Sequence, residues 1–186
     1  GKRVLDLGCG FGWHCRYAAE QGAARVVGLD LSEKMLARAR RETTDPRIAY
    51  VRGAMEDLEA PPGSFDVVLS SLALHYVEDL EPVFRRIFAA LAPGGDFVFS
   101  CEHPVFTAEG AQEWCRNEAG ENLHWPVDHY FSEGARTALF LGCEVVKYHR
   151  TLTTYVETLL RTGFALTALV VPRPDPALMD VPGMAD

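Results

Sequence analysis

The sequence predicts an α/β fold with a doubly wound, mostly parallel sheet that carries helices on both faces. Short apolar runs bounded by turn residues alternate with segments whose apolar residues recur at helical spacing. The first run, Val4-Leu5-Asp6-Leu7, leads into a glycine-rich turn, which is typical of a buried parallel strand followed by a helix. Strands and helices that alternate at such short intervals are joined by right-handed crossovers.

Five strands and three helices are predicted before residue 102. The first helix, 12–20, ends at Gly22, and the second begins at the N-cap Ser32 and continues to about residue 41. The predicted buried residues of this second helix are Met35, Leu36 and Ala39. The predicted strands lie at 4–7, 25–30, 47–52, 65–71 and 96–101.

The strand at 65–71 is continuous and apolar, which predicts a central position in the sheet. A helix at 79–91 follows it and is closed by Pro93-Gly94-Gly95. The inward face of this helix is predicted to carry Leu80, Val83, Phe84, Ile87, Phe88 and Leu91.

From residue 102 the regular alternation stops, and 102–150 is rich in aromatic residues and histidines without a helical period. Residues 130–131 and 145–148 are candidates for pairing as a hairpin. Regular structure returns with a helix at 152–162, capped by Thr151 and stopped by Gly163, and then a strand at 164–171. The tail is predicted to be a loop because it contains Pro172, Pro174, Pro176 and Pro182.

Composition indicates one globular domain and narrows the classes of partner. The 186 residues, 48% hydrophobic and 24% charged, suffice for one well-buried core. A net charge of -8 argues against nucleic acid as the main partner, because a phosphate backbone requires a basic surface. No segment approaches the roughly 20 apolar residues of a membrane helix, so no membrane partner is expected.

Five scattered cysteines without a CxxC pair predict reduced thiols in a cytoplasmic protein rather than disulfides. The histidines at 124, 129 and 149 lack metal-ligand spacing, so no metal is expected. The sequence opens directly on its first core strand, which favours a trimmed domain over a signal peptide.

The turn Asp6-Leu7-Gly8-Cys9-Gly10-Phe11-Gly12 is the main functional signal. Such a turn at a helix N-terminus brings a ligand close to bare backbone amides. The dinucleotide-binding version needs G-x-G-x-x-G, and here Trp13 occupies the position of the third glycine. Asp30 ends the second strand, where an acid binds a ribose diol in either kind of site.

With these residues the chain resembles the class I S-adenosylmethionine-dependent methyltransferases, in the small-molecule group related to ubiquinone and menaquinone biosynthesis enzymes. The segments that carry the resemblance are VLDLGCGFGWH, VVGLDLSEKML, GAMEDLEAPPGSFDVVLSSLALHYVED and FRRIFAALAPGGDFVFS. Beyond residue 101, CEHPVF and YHRTLTTYVETLLRTGF look like a bacterial subgroup.

The resemblance implies a Rossmann-like core, S-adenosylmethionine as cofactor, S-adenosylhomocysteine as product and a small-molecule acceptor. It divides a single domain, 1–186, into a cofactor-binding half at 1–101, a lid insertion after the fifth strand at 102–150, and a final helix, strand and tail at 151–186. The family's N-terminal helices and its last, antiparallel strand are absent from the sequence. The oligomeric state is left open, with a homodimer as one alternative.

Carried over to this chain, Gly8 and Gly10 flank the methionine part, Asp30 holds the ribose hydroxyls and Leu31 packs on the adenine. Backbone carbonyls at the end of the central strand face the ammonium group. The family's Gly-Asp-Ala loop reads Gly53-Ala54-Met55 here, so Glu56 or Asp57 would replace the missing acid. The implied cofactor-binding set is Asp6, Gly8, Cys9, Gly10, Gly12, Asp30, Leu31, Ala54, Met55, Glu56, Ser70, Ser71 and Leu72.

In-line methyl transfer needs little acid-base help, because the sulfonium is already a good leaving group. A hydroxyl or acidic carbon acceptor would gain from a base, for which His75 and then His103 are the candidates. The alternative for His75 is packing on the next helix or shaping the pocket.

The insertion at 102–150 is predicted to select the acceptor, since long excursions over a rigid scaffold commonly carry binding. The candidate substrate residues are Tyr76, His103, Trp125, Tyr130 and His149. The alternative is that the aromatic residues form the core of the insertion itself and that His149 is structural. Two rival functions remain: a non-catalytic module that binds S-adenosylmethionine, and a dinucleotide-binding oxidoreductase.

Overall fold

The computed structural model describes residues 1–109, 113–140 and 142–172. Its centre is a five-stranded sheet in the order β3-β2-β1-β4-β5. All neighbouring strands of this sheet run parallel, which confirms the predicted doubly wound α/β fold. Its strands are β1 (Arg3–Leu7), β2 (Arg25–Asp30), β3 (Ile48–Arg52), β4 (Phe65–Ser71) and β5 (Leu91–Ser100). The helices between them are α1 (Trp13–Glu20), α2 (Glu33–Glu42) and α3 (Leu80–Ala90).

Successive residues of β1 point to opposite faces of the sheet, and each face has its own apolar cluster. Leu5 and Leu7 join the cluster that contains Phe84 of α3. Val4 joins the other cluster, which contains Cys15 of α1. The two clusters show that helices cover both faces of the sheet.

Short-range capping explains why several helix bounds were predictable. The Ser32 hydroxyl accepts a hydrogen bond from the Met35 amide (3.3 Å) and starts α2. The last helix, α5 (Leu152–Thr162), begins after Thr151 and ends at Gly163, with φ +111°, as predicted.

Two residues predicted to be buried on helices are exposed. Met35 lies on the outer side of α2, whose buried residues are Leu36 and Ala39. Phe88 lies at the surface of α3, where its ring contacts Phe164 edge to face at 5.1 Å. Both errors arise because the face of each helix that is buried is narrower than the face on which the sequence places apolar residues.

The described residues of the segment 102–150, which was predicted to be a lid and is called the lid below, form the short helix α4 (Pro104–Ala108) and two antiparallel hairpins. The first hairpin pairs β6 (Cys115–Arg116) with β7 (Asn122–His124), and the second pairs β8 (Gly134–Phe140) with β9 (Cys143–His149). The predicted pairing of 130–131 with 145–148 was therefore wrong, since Tyr148 pairs with Ala135. Gly142, just before β9, has φ +79°, a value that glycine adopts without strain.

The strand predicted at 164–171 is not formed, and this prediction was wrong. A strand exists only when a neighbour accepts its hydrogen bonds, and in the described residues β5 is paired with β4 alone. The predicted loop containing Pro174, Pro176 and Pro182 lies outside the described residues. Within the described ranges, no helix has both the length and the apolar character needed to cross a bilayer.

Candidate functional site

The glycine turn after β1 is hydrogen-bonded to the end of β2. The amides of Gly8 and Cys9 both donate to the Leu29 carbonyl, at 2.8 and 3.1 Å. Gly8, Gly10 and Gly12 all adopt left-handed backbone, with φ of +74°, +54° and +77°. Such φ values are costly for residues with a Cβ, so the spacing of the glycines is a requirement of the turn.

Asp30, the last residue of β2, also holds the turn. Its Oδ2 accepts the Gly10 amide at 2.7 Å, and its Oδ1 accepts the Ser32 amide at 2.8 Å. A carboxylate has about four acceptor positions, so each oxygen retains capacity for a ligand hydroxyl. Leu31, the next residue, is 65% exposed and offers an apolar surface beside the carboxylate.

Asp6 lies buried in β1 directly below the turn. Its Oδ2 accepts a hydrogen bond from the Cys15 thiol at 3.3 Å. Its Oδ1 is buried and has no hydrogen-bond partner among the described residues. Burial raises the pKa of Asp6, and the thiol contact partly opposes this. A buried carboxylate oxygen without a donor can receive a donor or positive charge from a ligand.

The end of β4 completes the next wall of the site. The Ser70 hydroxyl donates to the Leu7 carbonyl at 3.0 Å, and the hydroxyls of Ser71 and Ser100 lie 3.2 Å apart. Leu72 has φ +51° although it is not a glycine, and its side chain is 56% exposed. Strained backbone of this kind clusters at functional sites.

The loop after β3 reaches the same edge. Met55 begins a 3-10 turn (Met55–Asp57), and its Cε lies 3.6 Å from the place that a Cβ on Gly8 would occupy. Ala54 precedes this turn and Glu56 is exposed within it. The structure thus brings the ends of β1, β2, β3 and β4, with the cofactor-binding residues predicted from the resemblance, to one edge of the sheet.

Two supports of the turn were missed by the sequence analysis. The sulfurs of Cys9 and Cys15 lie 2.9 and 2.8 Å from the place of a Cβ on Gly28, so Cys9 points into the core beneath the turn. The Tyr50 hydroxyl lies similarly close to Gly12, and burial raises the pKa of Tyr50 to about 12. No local signal identifies these contacts, because they join residues on different elements.

His75 lies in a second 3-10 turn, Leu74–Tyr76, that follows β4. The imidazole is buried, and its Nδ1 has no hydrogen-bond partner among the described residues. The ring of Tyr76 lies 4.4 Å away, between the centroids, and is partly exposed. Burial lowers the pKa of His75, so the neutral ring is favoured.

His103 and Trp125 both form hydrogen bonds with α4. His103 is exposed, and its Nδ1 accepts the Val105 amide at 3.1 Å as the N-cap of this helix. Trp125 donates its indole N–H to the Val105 carbonyl at 3.3 Å and stacks on Phe106 at 4.7 Å. Contact of either residue with an acceptor stays a prediction.

Tyr130 and His149 form part of the lid's interior. His149 is fully buried, with Nδ1 2.8 Å from the Thr107 hydroxyl and Nε2 2.8 Å from the Tyr130 carbonyl. The Tyr130 hydroxyl accepts the Leu152 amide at 3.2 Å. Both nitrogens of His149 are thus engaged within the lid, and acceptor contact through either residue stays a prediction.

The comparisons with known proteins agree with this geometry. The family described as "Methyltransferase domain" matches residues 5–99. A proposed S-adenosylmethionine dependent methyltransferase from Listeria monocytogenes is 54% identical, with a TM-score of 0.95 over 100% of this chain and 83% of that chain. The S-adenosylmethionine dependent methyltransferase from Mesorhizobium loti is 48% identical, with a TM-score of 0.90 over 100% and 84% of the two chains.

Sequence relatives extend the match. An uncharacterized protein from Haemophilus influenzae is 34% identical over 98% of this chain and 73% of its own length. Seven further curated relatives, each named as a methyltransferase, match over smaller parts, and the chain spans 26% to 55% of their lengths.

The site's chemistry fits S-adenosylmethionine. Asp30 retains acceptor capacity for hydroxyl groups, and the place of a Cβ on Gly10 has no heavy atom within 4 Å. Asp6 adds a buried carboxylate oxygen with an open acceptor position. A ligand with a ribose diol and positive charge complements these groups, whereas the glycine spacing disfavours a dinucleotide.

Proposed function

Because the chain belongs to the S-adenosylmethionine-dependent methyltransferases, we propose that it moves a methyl group to a small-molecule acceptor by in-line transfer, with S-adenosylhomocysteine as the product. The observation that carries this proposal is the open space at Gly10 beside the braced carboxylate of Asp30. It lies at the carboxyl edge of the parallel strands, where open α/β sheets bind their ligands.

In this proposal the chain holds the cofactor at both ends. Asp30 accepts hydrogen bonds from the ribose hydroxyls, and the exposed side chain of Leu31 covers the adenine. Gly8 and Gly10 let the methionine part approach the backbone, and the carbonyls at 70–72 face its ammonium group. The bound cofactor supplies a methyl group on a positively charged sulfur, so departure of the sulfur needs no proton.

The acceptor is proposed to lie beside the turn Leu74–Tyr76. His75 is buried and favoured in its neutral form, as a proton acceptor must be. An acceptor whose nucleophilic oxygen or carbon carries a proton would pass it to His75 during transfer. The partly exposed ring of Tyr76 would line the same space.

Replacement of Asp30 tests the cofactor site. The change Asp30→Ala removes two charge-assisted hydrogen bonds to the ribose and the brace on Gly10, so affinity for S-adenosylmethionine should fall at least about 30-fold. Isothermal titration calorimetry measures this affinity. Asp45→Ala is the matched control, because Asp45 lies before β3 and pairs with Arg47 away from the site.

Three outcomes would contradict the proposal in different ways. Equal affinity of the Asp30→Ala and Asp45→Ala proteins would place the cofactor elsewhere. Micromolar binding of NAD without binding of S-adenosylmethionine would favour an oxidoreductase. Bound cofactor without methylation of any acceptor in a broad panel of hydroxyl, amine and carbon acids would favour a non-catalytic module.

The thiols bear on the compartment. All five cysteines are free, and Cys9 and Cys15 are buried beneath the cofactor turn. Five unpaired cysteines are typical of a reducing compartment, which supports the proposal that the protein is cytoplasmic.

A further inference from the structure

The β8–β9 hairpin of the lid carries a buried ion pair. Lys147 on β9 has a side chain that is 3% exposed, and its Nζ lies 2.5 Å from Oε1 of Glu102, whose side chain is 19% exposed. Removal of two charges from water costs several kcal/mol per ion, and the attraction between them seldom exceeds that cost. Well-packed apolar residues would stabilise the fold equally well, so stability alone does not explain the pair. We therefore look for a function that depends on its position.

That place is the acceptor side of the proposed site. Glu102 follows the end of β5 at the carboxyl edge of the sheet, and the turn that carries His75 follows β4 at the same edge. β9, with Lys147, packs against that turn. The buried Nδ1 of His75 therefore lies in the region where β5, β9 and the turn meet.

The charges around His75 act in opposite directions. Burial lowers the pKa of His75, the Glu102 carboxylate raises it and the Lys147 ammonium lowers it. Glu102 also raises the pKa of Tyr76, after burial, so its field reaches both residues of the turn. The titratable and charged groups near His75 on the elements packed around it are Tyr76, Glu78, Glu102, Lys147, Tyr148 and Arg150.

We propose that Glu102 and Lys147 are positioning residues for proton transfer, in which Glu102 stabilises the protonated ring of His75 and Lys147 holds the Glu102 carboxylate in place. The inference rests on the proposed function of His75 as the base. As the acceptor's nucleophilic atom bonds to the methyl carbon, its proton would move to His75. The bond between the methyl carbon and the cofactor's sulfur would break, and its electron pair would stay on the sulfur. The imidazolium then lies in the field of a fixed carboxylate, and it returns its proton to water after the product leaves.

The test is an NMR titration of the His75 ring in the protein without cofactor or acceptor. Glu102→Gln removes the negative charge and should lower the midpoint of His75 by about 1 pH unit, whereas Lys147→Met should raise it by about 1 pH unit. Glu144→Gln, an exposed change on β9, is the control and should leave the midpoint unchanged. His75→Gln identifies the resonance.

Shifts of opposite sign support the proposal, because loss of a merely structural contact has no reason to follow the sign of the charge removed. Midpoints within about 0.2 pH unit of the wild type in both variants, or shifts in the same direction, overturn it. A ring that stays neutral to the acid limit in wild type and in Lys147→Met also overturns it, since Glu102 then fails to stabilise the imidazolium.

Removal of one partner from a buried pair can prevent folding, so the double variant Glu102→Gln/Lys147→Met is titrated as well. Its midpoint should fall between those of the two single variants, and a midpoint outside that interval overturns the proposal. If Glu102→Gln does not fold, the midpoint of the double variant should lie below that of Lys147→Met. If Lys147→Met does not fold, the midpoint of the double variant should lie above that of Glu102→Gln. The titration uses neither cofactor nor acceptor, so failure to bind S-adenosylmethionine would contradict the proposed function without altering this result.

Discussion

Gly8 and Gly10 share a left-handed backbone but have different surroundings. A Cβ on Gly8 would lie 2.5 Å from the Cβ of Ala73, whereas a Cβ on Gly10 meets no heavy atom within 4 Å. Gly8 is thus required by the packing of the fold as well as by φ. Gly10 is required by φ, and its open side is the space proposed for the cofactor.

Alanine substitutions separate these two requirements. Gly8→Ala combines backbone strain with overpacking and should lower the free energy of unfolding by about 2–4 kcal/mol. Gly10→Ala adds strain alone and should cost about 1–2 kcal/mol, while its methyl group still obstructs S-adenosylmethionine. Urea denaturation and calorimetry measure the two effects. Equal loss of stability in both variants would show that Ala73 moves aside without cost.

Glu133 joins the lid to α5. Its Oε1 accepts hydrogen bonds from the Thr151 amide and hydroxyl, both at 2.8 Å, and from the Thr154 hydroxyl at 2.5 Å. Burial opposes ionisation of Glu133, but the hydrogen bonds from Thr154 and Thr151 prevail and lower its pKa. A lowered pKa in the folded state means stability that is present at neutral pH and is lost as pH falls through that pKa.

Glu133→Gln should therefore lower the free energy of unfolding at neutral pH by about 0.5–1 kcal/mol, a modest value because the residue is largely exposed to solvent. The difference from wild type should shrink below about pH 4, where the unfolded chain's glutamates also become protonated. Chemical denaturation at several pH values tests this, with Glu144→Gln as the control. A difference that is constant with pH would assign the effect to geometry rather than charge.

Elements whose ends are set by neighbouring residues in the sequence were predictable. Elements that depend on pairing with distant residues were not. Thr151 and Gly163 fix both ends of α5, so its bounds agree with the prediction. The register of β8 against β9 joins Ala135 to Tyr148, a pairing that the pattern at 145–148 alone does not specify. At the site, motif spacing identified Asp30, whereas Lys147 and Glu102 are 45 residues apart and only the fold joins them.

Across the whole molecule, the end of the β8–β9 hairpin is joined at several separate points to the segments that follow β4 and β5. Arg150 donates to the carbonyls of Val77 and Glu78, which continue from the turn with His75. Lys147 pairs with Glu102 after β5, and His149 bonds to Thr107 of α4. A wall fixed at several points is expected to be in place before the acceptor binds, and so to act as part of the core.

Hydrogen exchange distinguishes such a wall from a mobile lid. Amides of β9 should exchange through global unfolding, with protection within about 10-fold of β4, whereas those of β6–β7 should exchange at least about 100-fold faster. Faster exchange is expected because the side-chain hydrogen bonds of Arg116 and Asn117 go to Asn122 and Glu121 within the same short hairpin. These bonds do not join the hairpin to the sheet.

Arg150→Gln removes the hydrogen bonds to the carbonyls of Val77 and Glu78, and should raise the exchange rate of β9 amides by about 10-fold or more. The exchange rate of β4 amides should change only as far as the global stability changes. Arg85→Gln is the matched control, because it breaks an exposed pair with Glu81 that contributes little to stability. If β9 in the wild type already exchanges about 100-fold faster than β4, the lid opens independently. The acceptor would then meet a wall that forms only on binding, and the buried pair of Lys147 and Glu102 would have to assemble with it.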